Sequence, residues 1–194
     1  MSTNDTYFGD SGENNQVADF DGGNDIFVGF GGNDSFVGGG GDDFVVGGAG
    51  NDRLTGGAGD DILMAGTGND YLGGGTGSDL LLGLLGDNKL NGGVGDDVLV
   101  VGSGDNVVIG GSGADKFVFT DKFGGHGEAK VVDFTIGEDS LHIISDSVTS
   151  YSDLTFTYDA KGNAVFTDGV DLTVKLIGVT QEDINSYGSD LFII

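Results

Sequence analysis

Two stretches set the fold: GGAGNDRLT, Gly47 to Thr55, is followed at once by GGAGDDILM, Gly56 to Met64. The same phrase returns as GGVGDDVLV, Gly92 to Val100. Working outward from these, residues 20–118 divide into eleven consecutive nine-residue units with no insertion. Position four is glycine in all eleven, and position eight is apolar in all eleven, from Phe27 to Phe117. Position six is Asp25, Asp34, Asp43, Asp52, Asp61, Asp70, Asp79, Asp97 and Asp115, with Asn88 and Asn106 in the other two units. Three positions held in phase for this long are the mark of a stacked repeat architecture.

The residues of the unit predict its shape. Glycines at positions one, two and four permit positive φ and close backbone approach in a tight turn. The last three residues read x-apolar-x, a short strand with one side chain directed inward. A turn and a strand fill nine residues, so two units close one flattened coil. Successive coils then stack in parallel at about 4.8 Å, and the inward side chains form one continuous core. The expected fold is all-β: a parallel β-roll capped by a C-terminal β region.

Stacking brings carboxylates 18 residues apart to about one strand spacing from each other. Two unit charges ~5 Å apart repel by about 1 kcal/mol in water and about 3 at an effective dielectric of 20. A hard divalent cation between coils removes that repulsion, and an all-oxygen ligand set selects Ca²⁺ over Zn²⁺. The pattern G-G-x-G-x-D-x-U-x resembles the RTX calcium-binding β-roll, closely over residues 20–118. The resemblance implies Ca²⁺ between units n and n+2, held by the position-six aspartates and by turn carbonyls. The position-one glycines Gly29, Gly38, Gly47, Gly56, Gly74 and Gly92 are the implied carbonyl ligands. On this rule Asp25, Asp43, Asp61, Asp79, Asp97 and Asp115 line one edge with every carboxylate present. Asp34, Asp52 and Asp70 line the other, which Asn88 and Asn106 continue without charge. Five full-charge sites on the first edge, two on the second and a partial one at Asp70/Asn88 give about seven or eight ions. The position-five acids Asp42, Asp60, Asp87, Asp96 and Asp105 read as solvated surface charge.

Composition narrows the partners. The chain has 194 residues, 41 of them Gly, and no Pro or Cys, with 32 acidic against 7 basic residues for a net charge of −25. That charge opposes binding to nucleic acid, whose phosphates need Lys and Arg to displace their counterions. With no Cys and two His, His126 and His142, a structural zinc site is not supplied. His126 reads as a loop residue and His142 as a sheet residue. No apolar run reaches the ~18 residues of a membrane span, and no charged-then-apolar leader opens the chain.

The outward strand positions are asymmetric. Odd-numbered units carry apolar pairs such as Ile26/Val28, Phe44/Val46, Ile62/Met64, Leu80/Leu82 and Val98/Val100. Even units carry polar ones such as Arg53/Thr55 and Lys89/Asn91. One face therefore tolerates water and the other calls for covering. The C-terminal region is expected to fold over part of it, with a second copy or a larger partner over the rest.

Residues 1–19 read as an N-terminal cap, in which Phe8-Gly9-Asp10-Ser11-Gly12 is a degenerate repeat or a frayed end. Residues 119–194 read as a C-terminal β cap. Strands are expected within Lys130–Ile144, with a turn at Gly137, and at Leu154–Tyr158, Ala164–Thr167 and Leu172–Ile177. A short helix follows over Thr180–Tyr187, with Thr180 as N-cap and Asp183 at its third position. Val132 to Leu141, V-D-F-x-x-G-E-D-x-L, resembles the segment after the roll in serralysin-type proteases and alginate epimerase R-modules. The end Asp190-Leu191-Phe192-Ile193-Ile194 resembles an uncleaved type I secretion signal and equally suits a last β-strand. The resemblance implies a secreted protein whose partner is the type I secretion machinery.

Signatures of catalysis are missing from the sequence: HExxH, G-x-S-x-G and a Gly-Lys-Ser/Thr Walker loop do not occur. The strict period of the acids argues for a ligand ladder rather than a hydrolytic pair. The expectation is a non-catalytic protein. Two roles stay open, a calcium-driven folding and export module, or a surface or matrix protein that binds polysaccharide or its own copies.

Overall fold

The computed structural model describes residues 4–12, 22–123 and 127–194. Phe20, Asp21 and His126 lie outside the described residues, as do Met1 and residues 13–19. In chain order the first strands are Thr6–Phe8 (β1), Ile26–Gly31 (β2), Ser35–Gly40 (β3), Phe44–Ala49 (β4), Arg53–Ala58 (β5), Ile62–Thr67 (β6) and Tyr71–Thr76 (β7). Leu80–Gly83 (β8), Lys89–Val94 (β9), Val98–Val101 (β10), Asn106–Ser112 (β11) and Lys116–Thr120 (β12) complete the repeats. The C-terminal region adds Gly127–Val131 (β13), Ser140–Ile144 (β14), Thr155–Tyr158 (β15), Ala164–Thr167 (β16), Leu172–Leu176 (β17), the helix Gln181–Tyr187 (α1) and Phe192–Ile193 (β18).

These strands form two sheets that face each other. One runs β1-β2-β4-β6-β8-β10-β12-β14-β18, and the other β15-β16-β17-β13-β11-β9-β7-β5-β3. Within the repeats every pairing is parallel and in register at 18 residues, as in Phe27↔Val45, Val45↔Leu63 and Leu63↔Leu81. The parallel β-roll read from the spacing is thus the observed fold.

The core is the position-eight column. Phe27, Phe36, Val45, Leu54, Leu63, Leu72, Leu81, Leu90, Leu99, Val108 and Phe117 are all fully buried. Each such side chain contributes about 1.5–3 kcal/mol relative to exposure. The glycines divide their work. In most units positive φ falls at positions two and four, as at Gly48 (117°) and Gly50 (135°). At position one φ stays ordinary, and glycine, which Ala65 and Val101 replace in two of the described units, leaves room for close approach. Phe30, at position two, is the one non-glycine with positive φ among the described residues.

The ends differ from the sequence reading in informative ways. At the N-terminus the extra coil is carried by Asn4-Asp5-Thr6-Tyr7-Phe8, ahead of the Phe8–Gly12 stretch. Its strand β1 pairs with β2, Tyr7 stacks on Phe27 at 5.4 Å, and Asp5 N–H bonds Asp25 Oδ1. The spacing of 20 residues instead of 18 hides this unit from a strict nine-residue frame.

Beyond Val118 the parallel stacking continues, with β13 on β11 and β14 on β12. Only β15, β16 and β17 turn antiparallel, at the far end of one sheet. The expected turn at Gly137 has φ 85°. Helix α1 starts at the expected N-cap: Thr180 Oγ1 accepts from Asp183 N–H while Asp183 Oδ2 accepts from Thr180 N–H.

The strands of the C-terminal region extend both sheets lengthwise and none of them lies across the apolar outer face, where Phe123 alone of this region lines a groove with Val46, Met64 and Leu82. An open end exposes unpaired N–H and C=O groups, which cost more to leave than half-exposed side chains. The aromatics of the cap, Phe119, Phe156, Phe166 and Phe192, pack edge-on against one another behind it. On the outer face Ile26, Phe44 and Ile62 keep 41%, 39% and 37% exposure. The even face supports itself, with Arg53 stacked 4.2 Å over the ring of Tyr71 and Lys89 on the same ring at 5.8 Å.

Candidate metal centre

Position six leads each strand, so its side chain turns inward at the edge of the roll where one sheet passes into the other. All nine aspartates predicted there are 1–3% exposed, and Asn88 and Asn106 are equally buried. Along the ladder one carboxylate oxygen holds the preceding coil. Asp43 Oδ1 accepts from Asp25 N–H at 2.8 Å, Asp61 Oδ1 from Asp43 N–H at 2.8 Å, and so on to Asp115. On the other edge Asp52 and Asp70 do the same for Asp34 and Asp52. The column runs on beyond the repeats, for Asp139 Oδ1 accepts from Asp115 N–H.

The second oxygen is left over. Oδ2 of Asp25, Asp43, Asp52, Asp61, Asp70, Asp79, Asp97 and Asp115 is buried with no hydrogen-bond partner. An unpartnered buried carboxylate oxygen costs several kcal/mol unless a cation or proton compensates it. Position-one glycine frames the same space. A methyl group built on Gly47 would collide with Asp52 Oδ2 and lie 2.7 Å from the carbonyl oxygen of Ala65, one coil on. Gly38, Gly74 and Gly92 show the same convergence of the carboxylate with the carbonyls of Gly56, Gly92 and Gly110 at 2.6–2.7 Å, and Gly29 brings Asp34 together with Gly47. At Gly56 the nearest atoms are those of Asp61, with Oδ2 first.

A buried carboxylate oxygen facing a backbone carbonyl is a donor set for a hard cation, and the residues present fit Ca²⁺. Of the glycines expected to lend carbonyls, Gly47, Gly56 and Gly92 turn theirs toward these oxygens. Ala65 and Gly110, which also stand at position one but outside the six expected glycines, do so as well.

The electrostatics agree with that geometry. Burial pushes Asp43, Asp52 and Asp115 up to about 6, and Asp61 and Asp97 up to about 7. Like charges in the stack push the same way, while the backbone N–H bonds oppose them. Asp70, Asp79 and Asp139 are also raised, chiefly by burial. The roll holds a column of acids that its own interior does not neutralise.

The position-five residues do more than solvate the surface. Asp42, Asp60, Asp87, Asp96 and Asp105 are exposed, yet each accepts a backbone N–H from the following coil, at 2.7–2.9 Å. Asn24, Asn33, Asn51 and Asn69 act in the same way. The signal was present: nine of the eleven position-five residues are Asn or Asp, the two types with a short side-chain acceptor.

Asp133 of the V-D-F stretch caps the roll by accepting from Gly110 and Gly111 N–H at 3.0 and 2.9 Å. In the cap, Asp121, Asp168 and Asp171 bring carboxylate oxygens within 4.8 Å of one another. These three share no repeat spacing, so the sequence offered no signal for them. His142, on β14, lies beside Ser140 at 3.3 Å and takes no part in the ladder.

Comparison with known proteins places this geometry. The family model of the RTX calcium-binding nonapeptide repeat matches residues 21–45, 37–72, 73–108 and 92–118, together half of the chain. No curated protein matches. Among solved structures, the extracellular lipase LipA from Serratia marcescens is similar at TM-score 0.40 and 20% identity, over 84% of this chain. The chain spans 40% of the lipase chain. The repeats, their register and their ladder of buried acids lead to one conclusion: the chain belongs to the RTX calcium-binding nonapeptide repeat family.

Proposed function

We propose that this chain is a non-catalytic extracellular module of a bacterium, exported by a type I secretion machinery, whose roll folds as Ca²⁺ fills the turn ladder. The observation that carries this reading is the row of eight buried position-six Oδ2 atoms without a hydrogen-bond partner, those of Asp25, Asp43, Asp52, Asp61, Asp70, Asp79, Asp97 and Asp115. Carbonyls of the next coil converge on the same turns, as at Asp43, Asp52, Asp79 and Asp97. About seven or eight ions fit the ladder, five along the edge from Asp25 to Asp115 and the rest along Asp34, Asp52 and Asp70. Bound there, Ca²⁺ supplies the positive charge that lets adjacent carboxylates approach. The chain's own contribution is the spacing, which holds one Oδ1 on a backbone N–H and leaves its Oδ2 free. Because the ligands come together only in the coiled form, binding free energy is folding free energy. Far-UV circular dichroism tests this: chelator should leave the roll mostly disordered, and millimolar Ca²⁺ should restore the β spectrum. An unchanged spectrum across that titration would sink the proposal.

A second reading is favoured by the apolar outer face. Besides Ile26, Phe44 and Ile62, it holds a groove of about 210 Å³ walled by Val46, Met64, Leu82, Leu84, Leu85 and Phe123. On this reading the loaded roll is a surface or matrix element that binds its own copies or a polysaccharide through that face. Basic side chains are too few for a strongly anionic glycan.

A further inference from the structure

The eleven position-six side chains are not equivalent, and the difference lies in where the second terminal atom goes. At Asp25, Asp43, Asp52, Asp61, Asp70, Asp79, Asp97 and Asp115 it is an Oδ2 with no donor to meet. At Asn88 it is an amide nitrogen, and Nδ2 donates to the carbonyl oxygens of Leu85 (3.3 Å) and Gly86 (3.1 Å) in its own turn. At Asn106, Nδ2 donates to Ser103 (3.3 Å) and Gly104 (3.0 Å). The other half of each amide still serves the ladder. Asn88 Oδ1 accepts from Asp70 N–H at 2.9 Å, and Asn106 Oδ1 accepts from Asn88 N–H at 3.0 Å.

The position-one glycine reports the same contrast. A methyl group on Gly83 would meet the Leu90 side chain at 2.7 Å and Asn88 Cβ and Nδ2 at 3.2 and 3.3 Å, with no oxygen nearer than these. At Gly47, Gly38, Gly74 and Gly92, by contrast, oxygens converge within 2.7 Å. A hard cation needs oxygen ligands and gains from their charge. Here two turn carbonyls are already taken by N–H donors, and the side chain carries no charge. An amide whose donor and acceptor are both satisfied when buried needs no further compensation.

We propose that the turns of Asn88 and Asn106 are closed without metal, so that one edge of the roll has a calcium-free stretch next to the C-terminal cap. The inference rests on the calcium reading of the ladder and assigns the two asparagines as the residues that set where it stops. Calcium loading is then lopsided. The edge from Asp25 to Asp115 is metal-bearing along its whole length, while the opposite edge is metal-bearing only from Asp34 to Asp70. The half of the roll nearest the cap depends on calcium through one edge alone.

The test compares wild type with Asn88→Asp in saturating Ca²⁺, counting bound ions by equilibrium dialysis with metal analysis. The variant exchanges two N–H donors for an orphaned oxygen, so it should bind one more ion per chain. In chelator it should hold less β structure than wild type. An unchanged ion count in a folded variant would overturn the proposal. Should the variant not fold, the wild type decides alone: anomalous scattering from calcium-loaded crystals should give peaks at the aspartate turns and none at Asn88 or Asn106. Peaks at the asparagine turns would overturn the inference while leaving the calcium reading intact. No peak at any turn would overturn both.

Discussion

Asp61→Asn should change stability in opposite directions with and without calcium. Asp61 lies in the middle of the fully acidic edge, 1% exposed, with Oδ1 on Asp43 N–H and Oδ2 unpartnered. Asp43 and Asp79 stack one strand spacing away on either side, at about 4.8 Å. In metal-free protein at pH 8 each of those neighbours repels an ionised Asp61 by about 1 kcal/mol at a dielectric of 80, and about 3 at 20. Asparagine removes that repulsion, keeps the Oδ1 acceptor and offers an Nδ2 to its own turn, as Asn88 does. The variant should therefore retain more β signal than wild type in chelator. With calcium at one hundred times its Kd, losing one site costs about 2.7 kcal/mol of linkage. For a chain of this length that lowers the melting midpoint by about 5–10 °C. Equilibrium dialysis should count one ion fewer, and thermal melts followed by circular dichroism should give the two opposed shifts. Shifts of one sign in both conditions, or a full ion count, would refute the reasoning.

Two further outcomes follow from the same geometry. Since burial raises Asp61 and Asp97 to about 7 and Asp43, Asp52 and Asp115 to about 6, the folded metal-free roll binds protons more tightly than the unfolded chain. Its stability is then complete below the ordinary carboxylate pKa near 4 and is lost as pH rises through about 6–7. Chelated protein should gain β signal on acidification from pH 8 to pH 5, and a flat or falling signal would contradict the assignment. On the outer face, Phe44→Asp with Ile62→Asp should leave the ion count unchanged, because both side chains point away from the turns. Light scattering in saturating Ca²⁺ should show weakened self-association, and a wild type that stays monomeric at high concentration would remove that role for the face.

How much was legible depends on whether a feature repeats at nine. The strands, the core column from Phe27 to Phe117 and the buried aspartates all do, and each could be placed before any coordinates. Asp5 and Asp139 belong to the same ladder but stand 20 and 24 residues from their partners. An insertion of two or six residues breaks the phase without breaking the stack, since loop length at a turn is cheap beside a paired strand. The cap was read correctly as strands and a helix, yet its docking was not. Periodicity tells which face of a strand is apolar, and it does not tell whether a later segment will seek that face or the open end of a sheet. The Asp121, Asp168 and Asp171 group is assembled by that docking alone.

The two polar columns of the turn show what decides the choice between Asp and Asn. Position six accepts from the preceding coil, as Asp61 does from Asp43 N–H, and position five accepts from the following one, as Asp42 does from Asp60 N–H. Adjacent coils are thus clamped in both directions at each turn. At position five the side chain is exposed, its second terminal atom meets water, and only one acceptor oxygen is required. Asn24, Asn33, Asn51 and Asn69 therefore alternate freely with Asp42, Asp60, Asp87, Asp96 and Asp105. At position six the second atom is buried, so its identity has consequences. An oxygen there leaves a buried charge that calls for a cation, and a nitrogen closes on the carbonyls of its own turn. One atom in each side chain thereby separates metal-bearing turns from self-closed ones along a backbone that is otherwise the same.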